Sequence, residues 1–149
     1  FINPRFEDPN AFLILNLMSF TFDLVPDLQK VSENKAIKTI DILGLNTRDT
    51  LKHARRSAGQ YYYQRMQLLL QILNANSIND IDNLLTPYDD RLDPDSSLVE
   101  LKSELKESFK SHIKSYQHPS VWHSIKKIES KVNKKWENIF KELPEALDW

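Results

Sequence analysis

Glycine scarcity is the feature that most constrains the fold of this chain. Only two glycines, Gly44 and Gly59, occur in its 149 residues. β-Sandwiches and barrels need glycine at many tight turns, and loops that cradle phosphate groups need several glycines within a few residues. We therefore expect neither a mainly β fold nor a P-loop or dinucleotide-binding loop.

The rest of the composition is typical of one globular domain. Apolar residues make up 40% of the chain and charged residues 28%, and this length fits a single hydrophobic core. Cysteine is absent, which excludes disulfides, thiolate catalysis and cysteine-rich zinc or iron–sulfur sites. The absence of cysteine does not indicate a cellular compartment, because a cysteine-free chain tolerates any redox environment. The first residue is Phe1 rather than Met, which suggests a trimmed or processed product or a piece of a longer chain.

Hydrophobic periodicity predicts an all-α fold, a single helical domain over 1–149 that forms a bundle of about four main amphipathic helices plus short connecting helices. No strand is predicted. The non-helical parts are expected to be an extended lead-in at 1–7, an acidic loop at 86–93 and a C-terminal tail at 144–149. The main helices are expected at about 9–24, 47–74, 94–117 and 119–143.

Local signals support these boundaries. Asp8 followed by Pro9 is typical of a helix start, because aspartate accepts from free N–H groups and proline already has helical φ. Gly44 predicts a left-handed cap that ends a shorter helix. Asn46, with Asp49 three residues later, predicts a capping box at the start of the longest helix.

The densest apolar run lies at 12–25 and contains several polar residues. It is too short and too polar to cross a bilayer, so we expect a buried core helix and no transmembrane segment.

Charge is segregated along the chain although the net charge is only −1. Residues 48–65 carry net +4, residues 80–107 net −6 and residues 110–141 net +6. Either these bands pair within the molecule, or the basic bands bind nucleic-acid phosphates and one of the tyrosines at 61–63 stacks on a base. The candidate nucleic-acid-binding residues are Arg48, Lys52, Arg55, Arg56, Lys126, Lys127, Lys131, Lys134 and Lys135.

A short motif at 48–53, Arg-Asp-Thr-Leu-Lys-His, resembles the Arg-to-His motif of HEPN ribonucleases. The resemblance covers these six residues. It implies an all-helical bundle whose Arg and His lie near a helix start where two protomers meet. By this resemblance, Arg48 would stabilise the phosphate, and His53 would act on the 2′-hydroxyl or position it.

Other candidate chemistry is sparse. His112, His118 and His123 are expected at one corner of the fold without a carboxylate at matching spacing, so we expect ordinary surface histidines and no metal or other cofactor. No nucleophile elbow and no H-E-x-x-H pair occurs in the sequence.

The leading hypothesis is therefore a non-enzymatic interaction or structural module, a subunit or docking domain of a larger assembly. Aromatic residues near both ends, Phe1, Phe6 and Trp149, are expected to be exposed, and this favours a protein partner or a second copy that would cover them. A nucleic-acid backbone-binding helical subunit is the alternative, and a HEPN-like ribonuclease is the third hypothesis.

Overall fold

The protein is mostly helical in the computed structural model, which describes residues 1–88 and 97–149. Its strands are β1 (Leu13–Asn16) and β2 (Thr21–Leu24), and its 3-10 turns are Pro9–Ala11, Thr86–Tyr88 and Pro144–Asp148. Its α-helices are α1 (Lys30–Leu43), α2 (Asp49–Asn74), α3 (Ile78–Leu85), α4 (Leu98–Ser115), α5 (Pro119–Ser124), α6 (Ser130–Val132) and α7 (Lys134–Glu142), and a π-helical segment, Ile125–Glu129, joins α5 to α6.

A β-hairpin replaces the first of the four predicted main helices. β1 pairs antiparallel with β2, with Leu13 opposite Leu24. Asp8 accepts from the Asn10 N–H as a helix cap does, but the turn that follows is a 3-10 turn of three residues. The predictions of a helix at 9–24 and of no strand are therefore wrong, whereas the mostly helical class of the fold is confirmed.

The loop between the two strands explains the error. The Asn16 side chain accepts from the Met18 N–H at 2.9 Å, and the Phe20 N–H donates to the Asn16 carbonyl at 2.8 Å. Phe20 has φ 57°, a left-handed conformation that a non-glycine residue rarely adopts. The polar residues within this apolar run therefore belong to a turn and not to the solvent-exposed face of a helix.

Helices α1 and α2 follow the sequence more closely. α2 agrees with the predicted helix at 47–74 to within two residues. Gly44 caps α1 at φ 59°, as predicted. The predicted capping box is wrong, because the N-cap residue is Arg48 and no side chain caps this end. Asn46 instead bonds to both main-chain groups of Phe22, accepting from its N–H at 2.7 Å and donating to its carbonyl at 2.9 Å.

The described part of α4 begins at a capping box formed by Ser97 and Glu100. The predicted helix start at residue 94 lies outside the described residues. So does the predicted acidic loop at 86–93, except for its first three residues, which form a 3-10 turn.

The predicted helix at 119–143 is divided into pieces. The chain passes through the π-helical segment and leaves helical geometry at Asn133, which has φ −105° and ψ 113°. The Asn133 side chain accepts from the Lys135 N–H at 3.1 Å and donates to Glu129 at 2.8 Å. Asparagine offers the backbone such alternative hydrogen bonds, so it ends one helix and caps the next.

The predicted C-terminal tail at 144–149 is packed into the molecule. It forms a 3-10 turn, and Trp149 is only 7% exposed. The Trp122 indole N–H donates to the main-chain oxygen of Trp149 at 3.2 Å. The expectation of an exposed Trp149 is therefore wrong, whereas Phe1 and Phe6 are exposed as expected.

Two apolar clusters divide the structure. We use N-terminal region for residues 1–46 and helical region for residues 49–88 and 97–149. The larger cluster is mainly in the helical region, and Leu15 of β1 reaches it. The smaller cluster contains Ile2, Leu13 and Ala36, and Phe22 packs against both clusters.

Candidate interaction surfaces

The junction between the two regions is centred on Arg55, which is only 5% exposed. Its guanidinium donates to the Phe20 carbonyl at 2.7 Å and to the Leu45 carbonyl at 2.8 Å. It also lies 4.6 Å from the centre of the Phe22 ring. Burial lowers the pKa of Arg55. This predicted phosphate ligand therefore faces the protein interior and binds two carbonyl groups.

Further polar contacts fix the N-terminal region. The buried Leu15 N–H donates to the Ser124 hydroxyl of α5 at 3.1 Å. The Ile2 N–H donates to the Thr39 hydroxyl of α1 at 2.7 Å. These bonds attach β1 to the helical region and the first residues to α1, so they set the orientation of α1 on the hairpin.

α1 presents large apolar side chains to solvent. Val31 is 81% exposed and Ile42 is 67% exposed, although both are in a regular helix. They are about three turns apart and lie on the same side, with Lys38 between them. Within the described part of the chain, Lys38 has no ion-pair partner. We call Val31, Lys38 and Ile42 the α1 outer face.

The residues of the HEPN-like motif lie at the start of α2. Arg48 occupies the N-cap position and His53 lies in the second turn, and both side chains are exposed. The roles of Arg48 and His53 in RNA cleavage stay predictions.

The other two basic residues of this cluster, Lys52 and Arg56, contact neighbours. Lys52 lies 3.7 Å from the Asp49 carboxylate. Arg56 is exposed and lies 5.3 Å from the centre of the Phe20 ring, at the tip of the hairpin. Both side chains remain on the outer side of α2, because neither is in the buried stripe of that helix.

The C-terminal lysines are distributed differently. Lys127 and Lys131 are exposed, and Lys134 lies 3.5 Å from Glu137. Lys126 donates to the main-chain oxygen of Trp149. Lys135 lies 5.8 Å from the centre of the Tyr63 ring on α2. Lys135 is thus the lysine that the structure brings against a candidate aromatic residue of α2.

A cleft of about 540 Å³ lies beside this contact, between α2 and α7. On its α2 side, the cleft continues a row of polar side chains along that helix. These side chains recur every three or four residues and therefore share one face of α2. The cleft is rich in amide side chains, which can donate and accept hydrogen bonds. The row is Lys52, Arg56, Gln60, Tyr63 and Gln67, and the cleft is also lined by Gln71, Asn74, Lys135, Asn138 and Glu142.

The three tyrosines of α2 have different environments. Tyr61 stacks on Tyr116 of the α4–α5 connection, with ring centres 3.9 Å apart and an interplanar angle of 8°. Tyr62 is fully buried, donates to the His118 carbonyl at 3.3 Å, and has a pKa raised mainly by burial. Tyr63 alone of the three borders the cleft.

Two of the three corner histidines are partly buried. Burial, and then the nearby Arg55, lower the pKa of His118. Burial also lowers the pKa of His123, and Lys127 and Lys126 lower it further. His112 is exposed. Across residues 1–88 and 97–149, no three metal-ligating side chains come close enough to hold an ion.

Comparison with known proteins does not assign the chain to a family. No protein-family model, no curated protein and no solved structure matches the chain. Among the described helices, none is both long enough and apolar enough to cross a membrane. The candidate surfaces therefore rest on the geometry of the described residues alone.

Proposed function

We propose that this protein is a non-enzymatic interaction module, a helical bundle that docks onto a protein partner within a larger assembly. The α1 outer face carries this proposal. Val31 and Ile42 are β-branched apolar residues on the solvent-facing side of one helix, and both are mostly exposed. Exposed large apolar side chains on one face of a helix are typical of interaction sites.

The chemistry of the α1 outer face defines the partner. Burial of a valine or isoleucine side chain contributes about 1.5–3 kcal/mol, whereas an exposed ion pair contributes less than about 1 kcal/mol. Apolar anchors opposite Val31 and Ile42 would therefore supply most of the affinity. A carboxylate opposite Lys38 would fix the register. The proposed partner segment is an amphipathic helix with an acidic residue between two apolar ones.

The experiment compares two double variants of the full chain. Val31→Ser with Ile42→Ser removes the apolar anchors of α1. Val99→Ser with Val132→Ser is the matched control, because these valines are also exposed but belong to the helical region. Each protein is tagged and recovered from its native source, and bound partners are quantified by mass spectrometry. We expect the α1 variant to lose the principal partner at least tenfold and the control to retain it.

A photoreactive residue at position 38 tests the partner chemistry. We expect it to cross-link to a peptide with an acidic residue flanked by apolar residues. The proposal fails if both double variants retain the same partners. It also fails if the cross-link joins two copies of the chain and light scattering gives a dimeric mass, which would assign the α1 outer face to self-association.

A nucleic-acid backbone-binding role is the second candidate. It is favoured by the polar row of α2, which runs from Lys52 and Arg56 to Tyr63, where Lys135 joins it. Cations along the polar row can bind phosphates, and the adjacent aromatic residue, Tyr63, can contact a base.

Fluorescence anisotropy with a single-stranded oligonucleotide tests this role. Affinity should fall steeply between about 50 and 200 mM salt, because phosphate contacts release counterions. Arg56→Gln combined with Lys135→Gln should flatten the salt dependence, whereas Lys30→Gln combined with Lys38→Gln on α1 should not. Absence of binding at low salt, or equal effects of both variants, would remove this candidate.

A further inference from the structure

An apolar pocket, partly open to solvent, lies between the N-terminal region and the start of α5. Its volume is about 210 Å³, and its wall is formed by the N-terminal segment, the hairpin, α1 and the residue after the start of α5. The apolar part of the wall includes Ile2, Leu13, Phe22, Leu43 and Leu45. We call this space the N-terminal cavity.

The lining of the N-terminal cavity is mostly apolar, and Leu43, which lines it, is 46% exposed. Ligand pockets are concave and mostly apolar, with a few polar groups that fix the orientation of the ligand. Water gains little beside the apolar part of the wall, because it needs two to four polar partners. An engineered apolar cavity of about 150 Å³ holds benzene. The N-terminal cavity therefore has room for a somewhat larger apolar body.

Polar groups occur on the wall at three positions, and two of them are free. The Thr39 hydroxyl is used, because it accepts from the Ile2 N–H at 2.7 Å and donates to the Lys35 carbonyl at 2.9 Å. Within the described residues, the side chains of Asn10 and Ser120 have no hydrogen-bond partner. Both are neutral, so they suit an uncharged hydrogen-bonding group rather than an ion.

We infer that the N-terminal cavity binds a small apolar molecule of about eight to ten heavy atoms that carries one neutral polar end. The apolar body lies against Leu13, Phe22 and Leu45, and the polar end bonds to Ser120 or Asn10. This site is separate from the α1 outer face, so it does not depend on the proposed docking role.

Thermal unfolding and calorimetry with 1-octanol and n-butylbenzene test the inference. Both molecules have the required size, but only 1-octanol has a hydroxyl group. A ligand that binds the native state alone raises the melting temperature. We expect a rise of several degrees with either compound for the unmodified protein.

Two variants locate the binding. Leu45→Trp fills the N-terminal cavity and should abolish binding of both compounds, whereas the control Leu147→Trp, at an exposed leucine of the C-terminal turn, should not. If Leu45→Trp does not fold, Leu43→Trp blocks the cavity at its more exposed leucine. Ser120→Ala should weaken 1-octanol binding by roughly three- to tenfold and leave n-butylbenzene unchanged, because it removes one neutral hydrogen bond.

The inference is overturned if neither compound raises the melting temperature of the unmodified protein. It is equally overturned if the tryptophan variant at residue 45 or 43 binds as well as the unmodified protein. An equal loss of both compounds in Ser120→Ala would contradict the assignment of the polar end.

Discussion

The helical region completely buries Tyr62, Met66, Leu69 and Ile72 along one stripe of α2, whereas the buried cluster of the N-terminal region contains only Ile2, Leu13 and Ala36. The larger cluster also includes three buried tryptophans, Trp122, Trp136 and Trp149. Apolar burial thus provides most of the stability of the helical region. The N-terminal region has too small a cluster to fold by apolar burial alone.

Side-chain hydrogen bonds to main-chain groups compensate for the small cluster. Arg55 holds the carbonyls of Phe20 and Leu45, and Asn46 bonds to both main-chain groups of Phe22. Such bonds are directional, so they fix the hairpin in one place on α2. They also make the N-terminal region sensitive to single polar substitutions, and we expect it to open before the helical region does.

The largest expected effect is in the helical region. Trp122→Ala should lower the free energy of unfolding by about 3–5 kcal/mol, because it leaves a cavity among Tyr62, Trp136 and Phe140. Urea unfolding followed by circular dichroism measures this loss. Trp122→Phe, which keeps most of the packing and loses the bond to Trp149, should cost less. Equal losses in the two variants would show that packing is not the main contribution.

Arg55→Ala should have the next largest effect, about 2–3 kcal/mol, because it leaves two carbonyl acceptors without their charged donor. The loss should be local. Amide hydrogen exchange should accelerate at residues 13–24 and stay slow at residues 62–72. Arg56→Ala, an exposed neighbour, should change little. A uniform acceleration throughout both regions would show that they unfold as one unit and would contradict the comparison above.

Asn46→Ala should cost about 1–2 kcal/mol, since it breaks two neutral hydrogen bonds to β2. The exposed Asn34 of α1 provides the control, and Asn34→Ala should not lower the urea midpoint, because alanine favours a helix more than asparagine does. If Asn46 capped α2 instead, its substitution would speed exchange in the first turn of α2 and not in β2.

The smallest expected effect is the pH dependence at the junction. The ordinary pKa of histidine is 6.5, and the pKa values of His118 and His123 are lower in the folded protein. The unfolded chain therefore binds more protons than the folded one once the pH falls below about 6.5. The free energy of unfolding should be retained well above that pH and should decrease as the pH falls through 6.5 toward the lower pKa values of the folded protein. Urea midpoints of the unmodified protein and of the His118→Gln, His123→Gln double variant measure this, and the double variant should show a flatter profile.

The sequence analysis succeeded where the signal is local. Gly44 and the apolar stripe of α2 gave correct predictions because a cap or an amphipathic face depends on residues within a few positions of each other. Asn46 was wrongly assigned for the same reason. The local sequence around Asn46, with an acidic residue three positions later, is typical of a helix cap. The actual hydrogen-bond partner of Asn46 is Phe22, which is 24 positions away.

The candidate surfaces were harder to predict. Arg55 has the same charge as its exposed neighbours, and this charge led to its assignment as a phosphate ligand. Its position three residues before Ala58 places it in the buried stripe of α2, but a pattern of apolar residues does not include an arginine. Tyr61 was a candidate for base stacking, yet its ring is covered by Tyr116, which comes from a different helix connection. The N-terminal cavity had no sequence signal, because its wall combines residues that are far apart in the chain, from Ile2 to Ser120.

The sequence by itself determined that this chain is mostly helical. Two glycines leave few places for tight turns, and the three-to-four residue spacing of apolar side chains requires helices with one buried face. Only the tertiary structure decided that residues 13–24 form a hairpin, that Arg55 holds it and that Trp149 is buried. Each of these depends on partners 27 to 109 residues away, such as Ser124 for Leu15 and Trp122 for Trp149, and such partners meet only when the whole chain has folded.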